Sequence, residues 1–373
     1  MQTNISFTCD KNKLSKVVHM VMRVANQSAT LESLQGIFIE VVNSKTIIKA
    51  TNLEVGIEMT IPATDMQDGA FLVNPKLLID AIKYSDSNMI TISSKKAGSI
   101  NIKLDNGNTI VKTLNDSDFP NIPKQNTGEK LDIKVKNIIN GIKSVLYAVS
   151  HSVIKPELSS LYIWKDGQQL VFVATDSFRL AEKKVNQNII NTDDLSILIP
   201  QKNTQDLLSI LEQLDEGDNI TVQVDNDQFS VYTDDMYITL RTIDGAFPDY
   251  QKIIPKEAVT SVTVLKHDLS QIIKKAGVFS DKFNKITIKA DAENKLITVS
   301  TVNGEAGETV DSITGVLEGE TVEISLNHRF IIDCLQSVHS DSVVLSFFGQ
   351  GKPLIVSGVG DKSFIYLVMP MNN

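Results

Sequence analysis

The chain repeats one order of secondary structure three times, about every 125 residues. In each unit a short apolar strand precedes an amphipathic helix, and a strand-rich stretch, a second helix and a closing strand follow. The first helices share an apolar face: Leu14, Val17, Val18 and Val21; Ile138, Ile142, Val145 and Val149; Leu269, Ile272, Ile273 and Ala276. The second helices do the same: Leu78, Ala81 and Ile82; Leu207, Leu208, Leu211 and Leu214; Ile331, Cys334, Leu335 and Val338. Three equivalent units indicate architecture rather than a catalytic domain.

This pattern predicts an α+β fold of three domains, each with two helices packed on antiparallel β-sheet. Each unit closes on a similar phrase: Asp118–Pro120, Ala246–Tyr250 and Val368–Met371. We therefore expect domains at residues 1–126, 127–257 and 258–373, with boundaries in polar stretches near 127 and 257.

Composition indicates a folded protein of the cytoplasm. The N-terminal residues lack the apolar core of a signal peptide, and no run of residues has the length of a membrane span. Cys9 and Cys334 lie in different predicted domains without metal-ligand spacing, so we expect two buried thiols.

Charge is distributed unevenly along the chain. The formal net charge is −9, whereas the six predicted helices together carry a positive charge. If the helices share one surface, that surface is basic and could hold a polyanion. The alternative is that these are ordinary solvated helix faces.

No pattern of a catalytic, cofactor or metal site occurs in the sequence. Asp176 and Asp249 could form an acid and base pair, but no nucleophile or metal ligand accompanies them. The alternative, which we favour, is that both carboxylates accept backbone hydrogen bonds in turns. The sequence therefore predicts no enzyme activity, no catalytic residue, no cofactor and no metal.

Two distinctive motifs carry a family resemblance. Val173–Ala181 (VATDSFRLA) is followed by Asp244–Tyr250 (DGAFPDY), and the chain ends near Val368–Met371 (VMPM). Together with Thr51–Glu54 and Leu326–Asn327, these segments closely resemble the bacterial DNA polymerase III beta subunit, the replicative sliding clamp, from end to end. This resemblance implies a head-to-tail homodimer that forms a closed ring, with helices around a central hole and sheets outside.

The resemblance also implies sequence-independent binding of double-stranded DNA in the hole. The DNA-facing positions that it suggests are Arg23, Lys76, Lys83, Lys143, Lys155 and Lys202. Contacts of lysine and arginine with phosphate would be salt-sensitive and compatible with sliding.

Opposite charges in the first and third units suggest the dimer interface. The strands of unit one carry Lys96 and Lys103, and those of unit three carry Glu305 and Glu308. Pairing of their edge strands would remove two exposed edges, and Ile272 is placed at the same interface. Without the resemblance, these residues could equally be charges that protect ordinary edge strands.

The resemblance further implies a cleft that binds partner peptides through apolar anchors. Its predicted residues are Leu158, Thr175, Ser177, Phe178, Arg179, Leu180, Pro248, Lys252, Ile253, Asn327, Phe330, Leu367, Met369, Pro370 and Met371. The final run, Phe364–Met371, could be a core strand rather than part of the cleft. Both interpretations hold if alternate residues of the strand face outward. The chain departs from the family at Ser28, where many clamps carry an arginine, and at Ser177–Phe178, where Gly-His is more usual.

The predicted function is that of a processivity factor. The implied partners are an ATP-driven clamp loader, the catalytic subunit of the replicative polymerase, and other clients such as translesion polymerases, ligase and mismatch-repair proteins; no membrane partner is predicted. Two other classes remain as alternatives: a hydrolase that uses Asp176 and Asp249, and a β-rich scaffold protein.

Overall fold

The fold is known from a computed structural model, which describes residues 4–25, 30–96, 98–105, 107–125, 127–152, 154–186, 195–225 and 227–371. Ser28 lies outside these residues. The described residues contain six α-helices: α1 (Lys11–Val21), α2 (Pro75–Lys83), α3 (Val135–Val145), α4 (Gln201–Leu211), α5 (Lys266–Val278) and α6 (His328–Leu335).

The strands of the first half of the chain are β1 (Ser6–Asp10), β2 (Ile37–Val42), β3 (Lys45–Thr51), β4 (Val55–Ile61), β5 (Ala63–Gln67), β6 (Gly69–Val73), β7 (Met89–Lys96), β8 (Ser99–Leu104), β9 (Gly107–Lys112), β10 (Glu129–Lys134), β11 (Ser160–Asp166), β12 (Gln169–Thr175) and β13 (Arg179–Asn186). Those of the second half are β14 (Ser196–Pro200), β15 (Asn219–Val224), β16 (Gln228–Tyr232), β17 (Met236–Arg241), β18 (Thr260–Leu265), β19 (Lys285–Asp291), β20 (Leu296–Asn303), β21 (Gly307–Thr314), β22 (Val316–Gly319), β23 (Val322–Asn327), β24 (Ser342–Phe347), β25 (Leu354–Gly358) and β26 (Phe364–Val368). The predicted α+β class, with antiparallel sheets and two helices in each of three units, is confirmed.

The first compact unit comprises the described residues up to Ile139 together with Lys202–Thr242. Its smaller sheet has the strand order β5-β1-β7-β8-β9. Its larger sheet has eight strands in the order β10-β15-β16-β17-β4-β3-β2-β6. The antiparallel pairing of β17 with β4 joins strands that are far apart in sequence.

The second compact unit comprises Asn140–Gln201 and the described residues from Ile243 onward. Nine strands form its larger sheet, in the order β14-β11-β12-β13-β26-β25-β24-β18-β22, and four form its smaller sheet, in the order β21-β20-β19-β23. The two units are groups of residues that mainly contact one another. They do not test the predicted domain boundaries near 127 and 257, which stay predictions.

Helix starts follow from side chains that cap free backbone donors. The Asn74 side chain accepts from the backbone N–H groups of Lys76 at 3.0 Å and Leu77 at 3.2 Å at the start of α2. Asp10 caps α1 through Lys13 N at 2.8 Å. Most residues of the predicted apolar faces of the helices are buried, as are the inward residues of the strands, whereas Val17, Ala81, Leu208 and Ile272 are half-buried. Val149, Leu214 and Val338 are exceptions to the helix prediction, because they lie beyond the helix ends.

Candidate functional site

The turn between β12 and β13 is held by its own side chains. One oxygen of the Asp176 carboxylate accepts from the backbone N–H groups of Phe178 and Arg179, both at 2.9 Å. The Thr175 hydroxyl donates to Arg179 O at 2.7 Å, and Ser177 has a left-handed φ of 76°. Asp176 is therefore a turn-forming carboxylate, as expected, and these contacts hold the 175–179 turn in one conformation.

Arg179 is buried, and all of its guanidinium nitrogens have partners within the protein. Its Nε donates to Asp176 Oδ2 at 3.0 Å, and one terminal nitrogen donates to Asp333 Oδ2 at 2.7 Å. The other terminal nitrogen donates to Tyr147 O at 2.6 Å, and the group lies 4.4 Å from the centre of the Phe330 ring. We call Asp176, Arg179 and Asp333 the Arg179 bridge, since it ties the turn to helix α6.

Burial opposes the charge of Arg179, but its surroundings favour the charged form. Although desolvation lowers the pKa of Arg179, its hydrogen-bonded ion pairs with Asp333 and Asp176 favour the charged form, and the pKa lies above its ordinary value. The guanidinium therefore stays charged in the folded protein.

The C-terminal segment lies next to this turn. Met369 N donates to Phe178 O at 2.8 Å, and Met371 N donates to Ser325 O at 2.8 Å. Of the preceding strand β26, only Ile365 is partly exposed, so the core-strand reading holds for Phe364–Val368 and strict alternation does not. The exposed part of the segment begins at Met369.

Three of the predicted cleft residues have exposed apolar side chains, and two others, Leu180 and Leu367, belong to a buried apolar cluster. Phe178 is 65% exposed, Ile253 is 56% exposed and Met369 is 39% exposed. The cluster consists of Val171, Val173, Leu180, Tyr250 and Leu367. Phe178 and Met369 are neighbours, since Met369 N donates to Phe178 O, and large apolar groups that remain exposed side by side indicate a surface on which another apolar group can dock.

The other predicted cleft residues take several positions. Leu158 and Thr175 are buried, Pro248 is exposed, and Pro370 is half-buried. Lys252 Nζ lies 2.7 Å from an Asp249 carboxylate oxygen, and this exposed pair raises the pKa of Lys252. Asp249 makes this ion pair without capping the following turn, so the backbone-capping expectation was wrong for it. Asn327 caps α6 through Arg329 N at 3.0 Å.

Several residues of the site escaped prediction from sequence. Trp164 Nε1 donates to the Tyr250 hydroxyl at 3.0 Å, and that hydroxyl donates to the buried Glu182 carboxylate. Burial and Glu182 raise the pKa of Tyr250. Asp333 was also missed, because a carboxylate on a helix carries no local signal of a partner in a distant turn.

The predicted DNA-facing residues are all exposed. Lys76 and Lys83 lie on α2, Lys143 on α3 and Lys202 on α4, whereas Arg23 follows α1 and Lys155 lies in the loop before β11. A cavity of about 440 Å³ lies between α1 and α2, and its lining includes Lys11, His19, Lys76, Asp80 and Lys83. Lys11 Nζ donates to the carbonyl of Ser85, so part of this charge is bound within the protein.

The predicted dimer residues lie on or near two edge strands. β9 is the edge of the smaller sheet of the first unit, and its Ile110 is 73% exposed. β21 is the edge of the smaller sheet of the second unit, and its Val310 is 66% exposed. The predicted charges Lys96, Lys103, Glu305 and Glu308 are exposed, and Ile272 on α5 is half-buried.

Asp311, also on β21, accepts from Lys275 Nζ at 2.7 Å, and this contact with Lys275 lowers the pKa of the carboxylate. Both cysteines are free and buried, and burial together with Asp10 raises the pKa of Cys9 to about 12.

Within the described ranges, no group of three or more His, Cys, Asp and Glu side chains could hold a metal ion. Among the same residues, no helix is long and apolar enough to cross a bilayer.

Comparison with known proteins covers nearly the whole chain. Three family descriptions match in order: the N-terminal domain of the DNA polymerase III beta subunit at residues 5–123, its central domain at 132–249 and its C-terminal domain at 251–372. The chain is 23% identical over 372 residues to a protein named beta sliding clamp from Synechococcus elongatus, covering 98% of this chain and 99% of that protein. The beta sliding clamp of Staphylococcus aureus is 23% identical over 376 residues, with the same coverage of each chain.

Solved structures show the same fold. The DNA polymerase sliding clamp of Bacillus subtilis aligns with a TM-score of 0.93 at 22% identity, over 100% of both chains. The sliding clamp of Pseudomonas aeruginosa bound to griselimycin aligns with a TM-score of 0.93 at 21% identity, over 99% of this chain and 100% of the other. With three consecutive domain matches from residue 5 to residue 372, the chain belongs to the DNA polymerase III beta subunit family.

Proposed function

We propose that this protein is a DNA sliding clamp, a non-enzymatic ring of two chains that encircles duplex DNA and tethers the replicative polymerase to its template in the cytoplasm. The observation that carries the proposal is the run of three family domains from residue 5 to residue 372. A tethered polymerase rebinds its primer end at an effective concentration on the order of millimolar, so many nucleotides are added per encounter.

Exposed basic residues on the helices support the DNA-binding part of the proposal. Lys76, Lys83, Lys143 and Lys202 are exposed helix residues, and Arg23 and Lys155 lie in exposed segments between elements. Side chains of this type neutralise phosphate without reading bases, which permits movement along the duplex. Because encirclement holds the ring on DNA, tight contacts are unnecessary.

The two exposed edges support the assembly of a ring. Strand β9 offers Ile110 and the neighbouring lysines, whereas β21 offers Val310 and the neighbouring glutamates. Pairing β9 of one protomer with β21 of its partner would satisfy both edges and bury both apolar side chains. Such a head-to-tail contact closes when its rotation suits a two-fold ring. A closed ring requires a loader to pass DNA through it, and the ATPase is a separate protein.

The surface that carries the exposed side chains of Phe178 and Met369 supports peptide binding, together with the exposed Ile253. We assign to it the polymerase subunit and other clients, such as translesion polymerases, ligase and mismatch-repair proteins. An extended segment with apolar anchors would bury these exposed side chains, and the thioether of Met369 adapts to anchors of different shape.

Topological retention on DNA tests the proposal. The protein is loaded by a clamp loader onto nicked circular DNA, excess protein is removed by gel filtration, and half of the sample is cut once with a restriction enzyme. We expect retention on the circle in moderate salt and rapid release from the linear DNA, because a ring slides off free ends. A linear DNA whose ends are blocked by bound protein serves as control and should retain the clamp. Equal retention on cut DNA with open ends would contradict encirclement.

A further inference from the structure

The chain contains two copies of the same turn. In the 51–55 turn, between β3 and β4, the Thr51 hydroxyl donates to Val55 O at 2.9 Å. The Asn52 side-chain oxygen accepts from Glu54 N at 3.0 Å and from Val55 N at 2.7 Å, and Leu53 has a φ of 75°. Every one of these contacts has its counterpart in the 175–179 turn, where Ser177 has a φ of 76°.

The surroundings of the two turns correspond as well. Arg241 N, at the end of β17, donates to Glu54 O at 2.8 Å, as Met369 N donates to Phe178 O at 2.8 Å. The helix next to each turn carries an aspartate at its sixth residue, Asp206 in α4 and Asp333 in α6. The two sites can therefore be compared residue by residue.

The main difference lies in how each turn is joined to its helix. In the 51–55 turn, the Asn52 amide reaches Asp206 directly at 3.5 Å, and Val55 is a buried core residue. In the 175–179 turn, the corresponding residues are Asp176 and Arg179. Two carboxylates, Asp176 and Asp333, then face each other, and they repel unless a cation lies between them. The Arg179 guanidinium takes that place, with contacts of 3.0 Å and 2.7 Å to the two carboxylates.

The exposed side chains differ in character too. Glu54 and Arg241 are charged, and their side chains lie 3.8 Å apart. At the corresponding positions of the other turn, Phe178 and Met369 are apolar and exposed. One copy of the turn thus presents an ion pair to solvent, and the other presents an apolar surface over a charged bridge.

We propose that Arg179 is a positioning residue for client peptides: the Arg179 bridge, inserted between turn and helix, holds Phe178 and Met369 in the place where a client contacts them. The inference rests on the proposed peptide-binding function of this surface. Because Arg179 is buried and its Nε and both terminal nitrogens already donate to Asp176, Asp333 and Tyr147 O, we assign it an indirect role rather than direct contact with the client. The guanidinium joins the turn to α6 through its contacts with Asp176 and Asp333, whereas in the other turn the Asn52 amide contacts Asp206 on α4 directly.

The test uses a peptide selected from a random library on the wild-type protein and shown to lose binding to F178E. Three variants of the full chain are compared with wild type. D176N/R179V gives positions 176 and 179 the residues that stand at positions 52 and 55 of the other turn, which the same chain already folds. D333N keeps Arg179 but removes its charged tether on α6. D206N removes the charge at the corresponding helix position of the other turn and is the matched control.

We expect D176N/R179V and D333N each to weaken peptide binding about tenfold, mainly through faster dissociation, while D206N leaves affinity unchanged. D333E, which restores a carboxylate, should recover part of the loss. The dimer measured by sedimentation velocity should be the same for all variants, because none of the substituted residues lies on the edge strands β9 and β21.

Unchanged or tighter peptide binding by D333N would overturn the inference. Tighter binding would indicate that the guanidinium, once released from Asp333, contacts the client directly. Equal losses in D206N and D333N would overturn it as well. If no selected peptide responds to F178E, the proposed peptide surface itself fails, and this inference fails with it. These outcomes separate the role of Arg179 from the function of the surface.

Discussion

His328 is the first residue of helix α6, and its ring lies against the backbone of α5. A Cβ atom placed on Gly277 would lie 2.7 Å from the ring, which is too close for any side chain there. Burial, and secondarily Arg329, lowers the pKa of His328 below its ordinary 6.5. A cation at a helix N-terminus also opposes the helix dipole. The neutral imidazole is thus the form that fits this position.

We predict that the protein loses stability as the pH falls below about 6.5, because the unfolded chain binds a proton at His328 more readily than the folded chain does. The contribution of this histidine is complete above that pH and declines below it. Urea unfolding between pH 8 and pH 5 measures the effect for wild type and for His328→Asn. We expect the free energy of unfolding to fall more steeply with decreasing pH in wild type than in the variant. The same pH dependence in both proteins would contradict the assignment.

Single residues differ in how far sequence reveals their role. The Thr-Asp and Thr-Asn pairs at 175–176 and 51–52 carry local turn signals, and the buried faces of the helices followed from their spacing. Asp333 gave no such signal, since its partner Arg179 lies 154 residues away in the sequence. Long-range ion pairs depend on the tertiary fold, which local patterns do not determine.

Among the elements, the C-terminal segment after β26 is held by backbone donors while its side chains remain partly exposed. Met369 N and Met371 N make the two backbone contacts with Phe178 and Ser325. Strand β26 itself pairs with β13 and β25 and is largely buried. The segment therefore continues from β26 to a contact with β23 of the smaller sheet and leaves the Met369 side chain exposed.

We predict that deletion of residues 369–373 abolishes polymerase binding and leaves the dimer intact, because the deletion stops short of β26. Polymerase pull-down and sedimentation velocity give the two readouts. The variant M369A/M371A, which keeps both backbone donors, should lose most of the binding without loss of stability. A monomeric deletion variant would show instead that the tail is structural.

The elements themselves were easier to predict than their partners. Alternating apolar residues indicated strands such as β8, β15 and β20, and all three are present. Nothing in the alternation indicated that β17 pairs with β4 or β13 with β26. The order of strands in a sheet depends on pairing between segments that are distant in sequence, and a periodicity of two residues does not specify which strands pair.

At the scale of the whole molecule, the proposed ring depends on two exposed edges that are far apart in the sequence. Their apolar residues Ile110 and Val310 would face a low-dielectric interface in the dimer. A lysine at either position would lose the apolar contact of the residue that it replaces and would place a further charge in the interface, at a cost of several kcal/mol.

We predict that Ile110→Lys and Val310→Lys each weaken the dimer by roughly a hundredfold, or about 3 kcal/mol. Sedimentation equilibrium over a range of concentrations measures the dissociation constant. The matched control is Val259→Lys, which places the same charge on a residue that is 44% exposed outside both edge strands. A dimer as stable in I110K as in V259K would place the interface elsewhere.

The two long sheets limit how this protein can be divided. Excision of residues 127–257 would separate β17 from β4 and β13 from β26, leaving unpaired backbone on both sides of the fragment. Such a fragment would aggregate in isolation, and so would the flanking pieces. Recombination between related proteins at the repeat boundaries is therefore costly, and chimaeras that exchange whole sheets should be more soluble than those that exchange repeats.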